Sequence, residues 1–161
     1  MTVYEQAKNM EVESRKVYES LADLSANPGL KSIFTMLAKF EQNHYDVFDA
    51  MEKRVKIPPV AVLKPDDVKK IFRGMKKNDP SLSVSKQQET AFRQALAAEE
   101  AAVVFYRAAA EKEKDGSKRA EIISIVDEEK KHALFVGAII ELITRPAQWI
   151  ENAEWNHLDE Y

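Results

Sequence analysis

The sequence contains no cysteine and little glycine, and these two deficits exclude several classes of protein. Without a cysteine among its 161 residues, the chain has no disulfide scaffold, thiolate zinc site, iron–sulfur cluster or cysteine nucleophile. Four glycines are too few for an all-β sandwich or barrel with many tight turns. The longest uncharged apolar run, residues 133–140, is too short to cross a bilayer, so we expect no membrane association.

Strong charge of one sign is also missing. The 24 basic and 27 acidic side chains leave a net charge of −3, so we expect no binding to nucleic acid. Residues 1–5 do not begin a basic segment followed by an apolar one, which predicts no signal peptide and a cytoplasmic location. The length of 161 residues suits a single domain over residues 1–161.

Long amphipathic segments account for most of the chain. Apolar residues recur at intervals of three and four over residues 3–26, 30–55, 87–114 and 118–144, which predicts four helices. We expect the first helix to bury a stripe of apolar and small residues: Val3, Ala7, Met10, Ser14, Val17, Leu21 and Leu24. Asn27, Pro28 and Gly29 are predicted to end the first helix, and Asp115 and Gly116 the third.

The order of helices and connections predicts the fold class. Helices joined by short turns lie antiparallel, which gives two hairpins over residues 3–55 and 87–144. The long connection, residues 56–86, holds four of the six prolines and a short predicted helix from Pro65 to Met75. A tail over residues 145–161 carries Trp149 and Trp155, which we expect to cover a bundle end or a dimer interface. This pattern predicts an all-α, ferritin-like four-helix bundle with one long crossover connection and a short C-terminal extension.

An internal repeat relates the two predicted hairpins. Residues of the first hairpin recur in the second at an offset of 88 positions, and the shared residues are mostly polar. The polar pairs are Glu11 and Glu99, Tyr18 and Tyr106, Glu41 and Glu129, and His44 and His132. Because these residues interrupt apolar stripes, each hairpin is expected to direct one Glu and one Glu-x-x-His motif into the bundle interior.

The interior carboxylates predict a metal site. Four glutamates at one level of an apolar core would repel one another and lose solvation, whereas two divalent cations would balance their charge. The predicted ligands are Glu11, Glu41, His44, Glu99, Glu129 and His132. Carboxylates with imidazoles suit iron or manganese, and zinc could compete. The alternative is a decayed repeat whose Glu and His residues form a buried hydrogen-bond network.

The paired tyrosines are candidates for a supporting role. A buried tyrosine hydroxyl needs a hydrogen-bond partner, and a ligand carboxylate would supply one. We therefore predict that Tyr18 and Tyr106 orient metal ligands, with plain core packing as the alternative.

On these motifs the sequence resembles the rubrerythrins within the ferritin-like di-iron carboxylate superfamily. The resemblance covers all four predicted helices, and it implies two iron ions per chain. In the family pattern Glu41 and Glu129 would bridge the irons, Glu11 and His44 would complete one coordination sphere, and Glu99 and His132 would complete the other.

The sequence departs from the rubrerythrin pattern in two places. Rubrerythrins typically carry another Glu three residues after the third-helix ligand, where this chain has Ala102. The neighbouring Glu100 would point about 100° away from the ligand face. Rubrerythrins also carry a four-cysteine rubredoxin domain, which these 161 residues lack.

The resemblance implies a non-haem di-iron peroxidase that reduces hydrogen peroxide, or dioxygen less efficiently, to water. Electrons would come from an external donor, a rubredoxin-like protein or a flavoprotein reductase, and the chain would form a homodimer. One alternative is a ferritin-like ferroxidase for iron storage or sequestration, which would require a large hollow shell. Another is a metal-free helical interaction module.

Overall fold

The computed structural model describes residues 1–75 and 79–144, and within these ranges the fold is all-α. The five α-helices are α1 (Val3–Leu24), α2 (Pro28–Lys53), α3 (Pro65–Arg73), α4 (Lys86–Lys112) and α5 (Gly116–Thr144), with a short 3-10 helix at Pro80–Leu82. The predicted tail over residues 145–161, with Trp149 and Trp155, lies outside the described residues.

The four long helices form the predicted ferritin-like bundle. Helix α1 packs along α2 and helix α4 along α5, and the two hairpins meet through α1 against α4 and α2 against α5. The interior divides into two apolar clusters. One contains Phe34, Phe92 and Phe135, and the other contains Phe48 and Ile125. No helix among the described residues is long and apolar enough to cross a membrane.

The turn between α1 and α2 differs from the sequence prediction. Helix α1 ends at Leu24, two residues early, and Asn27 begins the next helix by accepting hydrogen bonds from the Gly29 and Leu30 backbone amides. Such capping provides acceptors for backbone amides that are otherwise unpaired at the start of a helix. Residues 27–29 therefore begin α2 and also separate it from α1. Gly29 lies inside α2 without a positive φ, and its small size leaves room for the Met75 side chain.

In the turn between α4 and α5, residues predicted to end one helix again begin the next helix. Helix α4 ends at Lys112, and Asp115 accepts hydrogen bonds from the Ser117 and Lys118 amides at the start of α5. Gly116, which the sequence predicted as a helix end, is the first residue of α5. The predicted hairpins, residues 3–55 and 87–144, therefore occupy residues 3–53 and 86–144.

The predicted apolar stripe of α1 is wrong at three positions. Val3, Val17 and Leu24 are 45%, 38% and 60% exposed, whereas Ala7 and Leu21 are buried. Helix α1 packs against α2 on one side and α4 on the other, and these three side chains lie outside both contacts. Val17 and Leu24 line an outer groove between α1 and α4.

Polar contacts fasten the crossover between the hairpins to the bundle. The Asn43 side chain donates to the Pro59 carbonyl at 3.1 Å and accepts from the Ala61 amide at 2.7 Å. Buried Glu128 accepts from the Leu63 amide at 2.8 Å and pairs with Lys131 at 2.6 Å. The crossover is thus held against both α2 and α5, the two helices that carry the Glu-x-x-His motifs.

Candidate metal centre

Six polar side chains from the four long helices meet in the interior of the bundle. Each is at most 1% exposed, although all six are Glu or His: Glu11, Glu41, His44, Glu99, Glu129 and His132. The helical spacing explains this convergence, because each residue occupies the buried face of its helix. The structure therefore brings together every residue that the repeat predicted as a ligand.

The six residues form two groups in which ligand atoms lie within 4.8 Å of one another. The first group contains Glu11, Glu41, His44 and Glu129, and the second contains Glu41, Glu99, Glu129 and His132. Glu41 and Glu129 belong to both groups, so the two positions share two carboxylates. This is the arrangement needed to hold two neighbouring ions with carboxylate bridges.

Each histidine contacts the shared glutamate of the other hairpin. His44 Nδ1 lies 2.9 Å from Glu129 Oε1, and His132 Nδ1 lies 2.9 Å from Glu41 Oε1. The two imidazole rings stack with centroids 5.5 Å apart and planes 14° from parallel. The Nδ1 atoms thus face the carboxylates and are the imidazole atoms placed to bind an ion.

The two tyrosines also make contacts between the hairpins. The Tyr18 hydroxyl donates to Glu99 Oε1, and the Tyr106 hydroxyl donates to Glu11 Oε1. Each tyrosine therefore leaves the second oxygen of its glutamate available, with Glu99 Oε2 directed toward His132 Nδ1 at 3.8 Å. The sequence predicted a tyrosine–carboxylate contact, but it could not distinguish a partner in the same hairpin from one in the other.

Electrostatics distinguishes the carboxylates of this centre. Burial, followed by the negative field of Glu129, raises the pKa values of Glu41 and Glu99 well above 4.5. Burial would also raise the pKa of Glu129, but its contacts with His44 and His132 hold it well below 4.5. Burial disfavours charged His44, yet Glu129 and Glu11 raise its pKa to about 10. Without a metal ion, the negative charge is offset by protons on the buried carboxyl groups and by the ion pair between Glu129 and His44.

Unsatisfied polar atoms indicate that the donor set fits metal ions. Buried polar atoms normally have partners, yet each of the six residues has at least one buried side-chain N or O atom without a hydrogen bond. Carboxylate oxygens and imidazole nitrogens together form a ligand set suited to iron or manganese. Two divalent ions bound by the carboxylate oxygens and the two Nδ1 atoms would balance the four carboxylates.

Ala102 and Glu100 lie where the sequence placed them. Ala102 is 5% exposed and belongs to the apolar cluster that includes Phe48 and Tyr106. Glu100 is exposed on the outside of α4, away from both groups of ligands. The centre therefore has an apolar methyl group where the rubrerythrin pattern has a further carboxylate.

A groove between α1 and α4 approaches the centre from outside, and the sequence analysis did not predict it. Its volume is about 720 Å³, and both Tyr18 and Glu99 line it. Val17 has the spacing of a buried residue, which predicts a position in the core. A comparison with its repeat counterpart, Phe105, could have indicated that one half of the centre is less covered.

Comparisons with known proteins agree with the resemblance seen in the sequence. The model of the rubrerythrin family matches residues 2–140, a range that includes all six residues of the centre. No curated protein and no solved structure matches the chain.

Proposed function

The chain belongs to the rubrerythrin family, and from this premise we propose that it is a di-iron oxidoreductase that reduces hydrogen peroxide, or dioxygen, to water. The observation that carries the proposal is the sharing of Glu41 and Glu129 between two groups of ligands. Two ferrous ions held there would supply the two electrons that, with two protons from water, convert one peroxide molecule into two water molecules. Dioxygen would require four electrons and four protons, and therefore a second reduction of the centre by the electron donor.

The protein side chains have three separable tasks in this proposal. Glu11 with His44, and Glu99 with His132, would complete the two coordination spheres around the shared glutamates. Tyr18 and Tyr106 fix the orientation of Glu99 and Glu11 by donating hydrogen bonds. Both phenols stay protonated at neutral pH, because burial and the adjacent carboxylates raise their pKa values well above 10.

We also propose that the protein is a cytoplasmic homodimer that receives its electrons from a separate donor. The sequence contains no cysteine for a rubredoxin-type relay. A rubredoxin-like protein or a flavoprotein reductase would meet this need. Gel filtration with light scattering tests the assembly, and a particle of several hundred kilodaltons would support the ferroxidase alternative over the dimer.

The decisive experiment is anaerobic loading with Fe(II), followed by rapid mixing with hydrogen peroxide or dioxygen. We expect about two irons per chain and prompt oxidation by peroxide. Glu41→Gln should lose most of the bound iron, because both positions share Glu41. Glu100→Gln is the matched control, since Glu100 is exposed outside the centre. Equal iron content in the two variants would refute the assignment of the site.

The same measurement distinguishes oxidation of a resident centre from iron storage. A peroxidase returns to its ferrous state with an added reductant and turns over with its iron retained. A ferroxidase instead treats iron as its substrate and accumulates ferric iron well beyond two ions per chain. We expect repeated peroxide turnover at constant iron content.

A further inference from the structure

The two halves of the centre are covered unequally on the outside of α1 and α4. At the repeat offset of 88, Phe105 corresponds to Val17, and Met10 corresponds to Ala98. Phe105 packs against the cluster that contains Tyr106, and the Phe105 and Tyr106 rings lie 5.6 Å apart; Met10 packs against the same cluster and also lines the groove between α1 and α4. Val17 and Ala98 are instead exposed in the groove that Tyr18 lines.

The groove therefore gives the Glu99 half of the centre an apolar approach. Its walls include six aliphatic residues: Val17, Leu21, Leu24, Ala91, Ala95 and Ala98. Two charged wall residues, Glu13 and Lys16, pair with each other at 3.1 Å and balance in charge. These features favour a neutral, apolar occupant over an ionic one.

The inner end of the groove has the opposite character. Glu99 and Tyr18 line it although each is only 1% exposed, and buried Glu99 Oε2 has no hydrogen-bond partner. The groove volume of about 720 Å³ lies in the range of sites for small organic molecules. It is far larger than hydrogen peroxide requires. A molecule with one apolar part and one small polar group matches both ends.

Resting on the peroxidase function proposed above, we propose that the groove binds organic hydroperoxides and that the chain reduces them as substrates. The apolar part would lie against Val17, Leu24 and Ala98, with the peroxide group toward Glu99 and Tyr18. The O–O bond is broken, and two electrons from the reduced centre and two protons from water give one alcohol and one water molecule. An external donor, as proposed above, restores the two electrons.

A repeat-swapped variant tests the groove in single turnovers. Val17→Phe introduces the residue found at the equivalent position of the second hairpin, and Val104→Phe is the matched control on a 69% exposed position outside the groove. Ferrous protein is mixed with cumene hydroperoxide or with hydrogen peroxide. Val17→Phe should lower the ratio of the two rate constants by about tenfold, equivalent to about 1.4 kcal/mol. Val104→Phe should leave both rate constants unchanged.

Binding of the product supplies a readout that does not depend on turnover. Calorimetry of the protein as purified should detect cumyl alcohol, the product of cumene hydroperoxide, with about tenfold weaker binding in Val17→Phe. Binding that is absent, or equal in all three proteins, would overturn the proposal. So would a halved mass of Val17→Phe in light scattering, since that result assigns the groove to a second copy of the chain.

The two proposals fail in different ways. If ferrous protein reacts with hydrogen peroxide but its ratio of rate constants does not change in Val17→Phe, the groove proposal is overturned and the proposed function stands. If ferrous protein reacts with no peroxide while cumyl alcohol still binds the groove, the proposed function is overturned together with the reaction assigned to the groove.

Discussion

Tyr18 on α1 donates its hydroxyl to Glu99 on α4, although the two residues are 81 positions apart in sequence. Tyr106 on α4 makes the reciprocal contact with Glu11 on α1. Together with the contacts of each histidine to the shared glutamate of the other hairpin, these bonds join the two halves of the bundle at the centre. The glutamates of each hairpin are therefore oriented by side chains of the other hairpin, so the centre is held together by contacts between the two hairpins.

Removal of the Tyr18 hydroxyl tests this coupling. Tyr18→Phe should reduce the free energy of unfolding by about 1–3 kcal/mol, because a buried carboxylate loses its donor. Chemical denaturation of the protein as purified provides the measurement. Tyr45→Phe is the matched control, since Tyr45 is only half-buried and its ring, which Lys8 approaches at 5.8 Å, is retained. Equal losses in the two variants would argue against a specific role for the Tyr18–Glu99 bond.

The repeat explains why so much of the centre could be predicted. Its offset of 88 placed eight polar residues, six of them predicted ligands, at equivalent positions of two hairpins, and desolvation of four glutamates then implied cations. The repeat could not reveal that Tyr18 donates to a glutamate of the other hairpin. Bonds within each hairpin and bonds between the hairpins are equally consistent with an offset of 88. The groove also escaped prediction, since Val17 has the periodicity of a core residue but is 38% exposed and lines the groove between α1 and α4.

Helix ends were the least predictable part of the fold. Asn27, Pro28 and Gly29 interrupt the apolar pattern, which predicts the end of α1 at these residues. In the structure the Asn27 side chain caps α2 and also donates to Ser81 Oγ at 3.0 Å. A residue that favours both the exit from one helix and the entry to the next is ambiguous without knowledge of tertiary contacts such as this one.

Replacement of the shared glutamate Glu41 should affect the melting temperature of the metal-loaded and the metal-free protein differently. Glu41→Gln removes a carboxylate whose pKa is raised by burial and by Glu129 and Glu99, so it relieves repulsion in the metal-free protein. The melting temperature of the metal-free variant should equal or exceed that of metal-free wild type. After addition of Fe(II), only wild type should gain several degrees. Calorimetry with and without a chelator measures both, and a metal-free variant that melts far below wild type would contradict the argument.

The stabilisation given by metal should increase with pH. Burial raises the pKa values of Glu41 and Glu99, and the neighbouring carboxylates raise that of His44 to about 10 despite burial. Groups with raised pKa values bind protons more tightly when folded, so the metal-free protein loses their contribution as the pH rises. The contribution of Glu129, whose pKa is lowered, is already complete above about pH 5.

Bound cations reverse this dependence because they require deprotonated carboxylates. The difference in melting temperature between loaded and metal-free protein should therefore widen from about pH 5 to about pH 8. Loading should also release protons, which a weakly buffered indicator detects. A difference that is constant or shrinks over this range would show that the buried carboxylates are ionised without metal.

Glu128 and Asp127 are adjacent on α5 but should contribute very differently to the free energy of unfolding. The Glu128 side chain is 4% exposed, accepts from the Leu63 amide and pairs with Lys131, whereas the Asp127 side chain is 58% exposed and pairs with Lys130. Glu128→Ala leaves a buried amide without a partner and should cost about 1–3 kcal/mol of unfolding free energy. Asp127→Ala should change the free energy of unfolding by less than about 0.5 kcal/mol, because an exposed ion pair contributes little.

Chemical denaturation compares the stabilities of the two variants, and hydrogen exchange at the Leu63 amide should accelerate only in Glu128→Ala. Equal costs, with Leu63 still protected, would show that packing of the Leu63 side chain holds the crossover without Glu128.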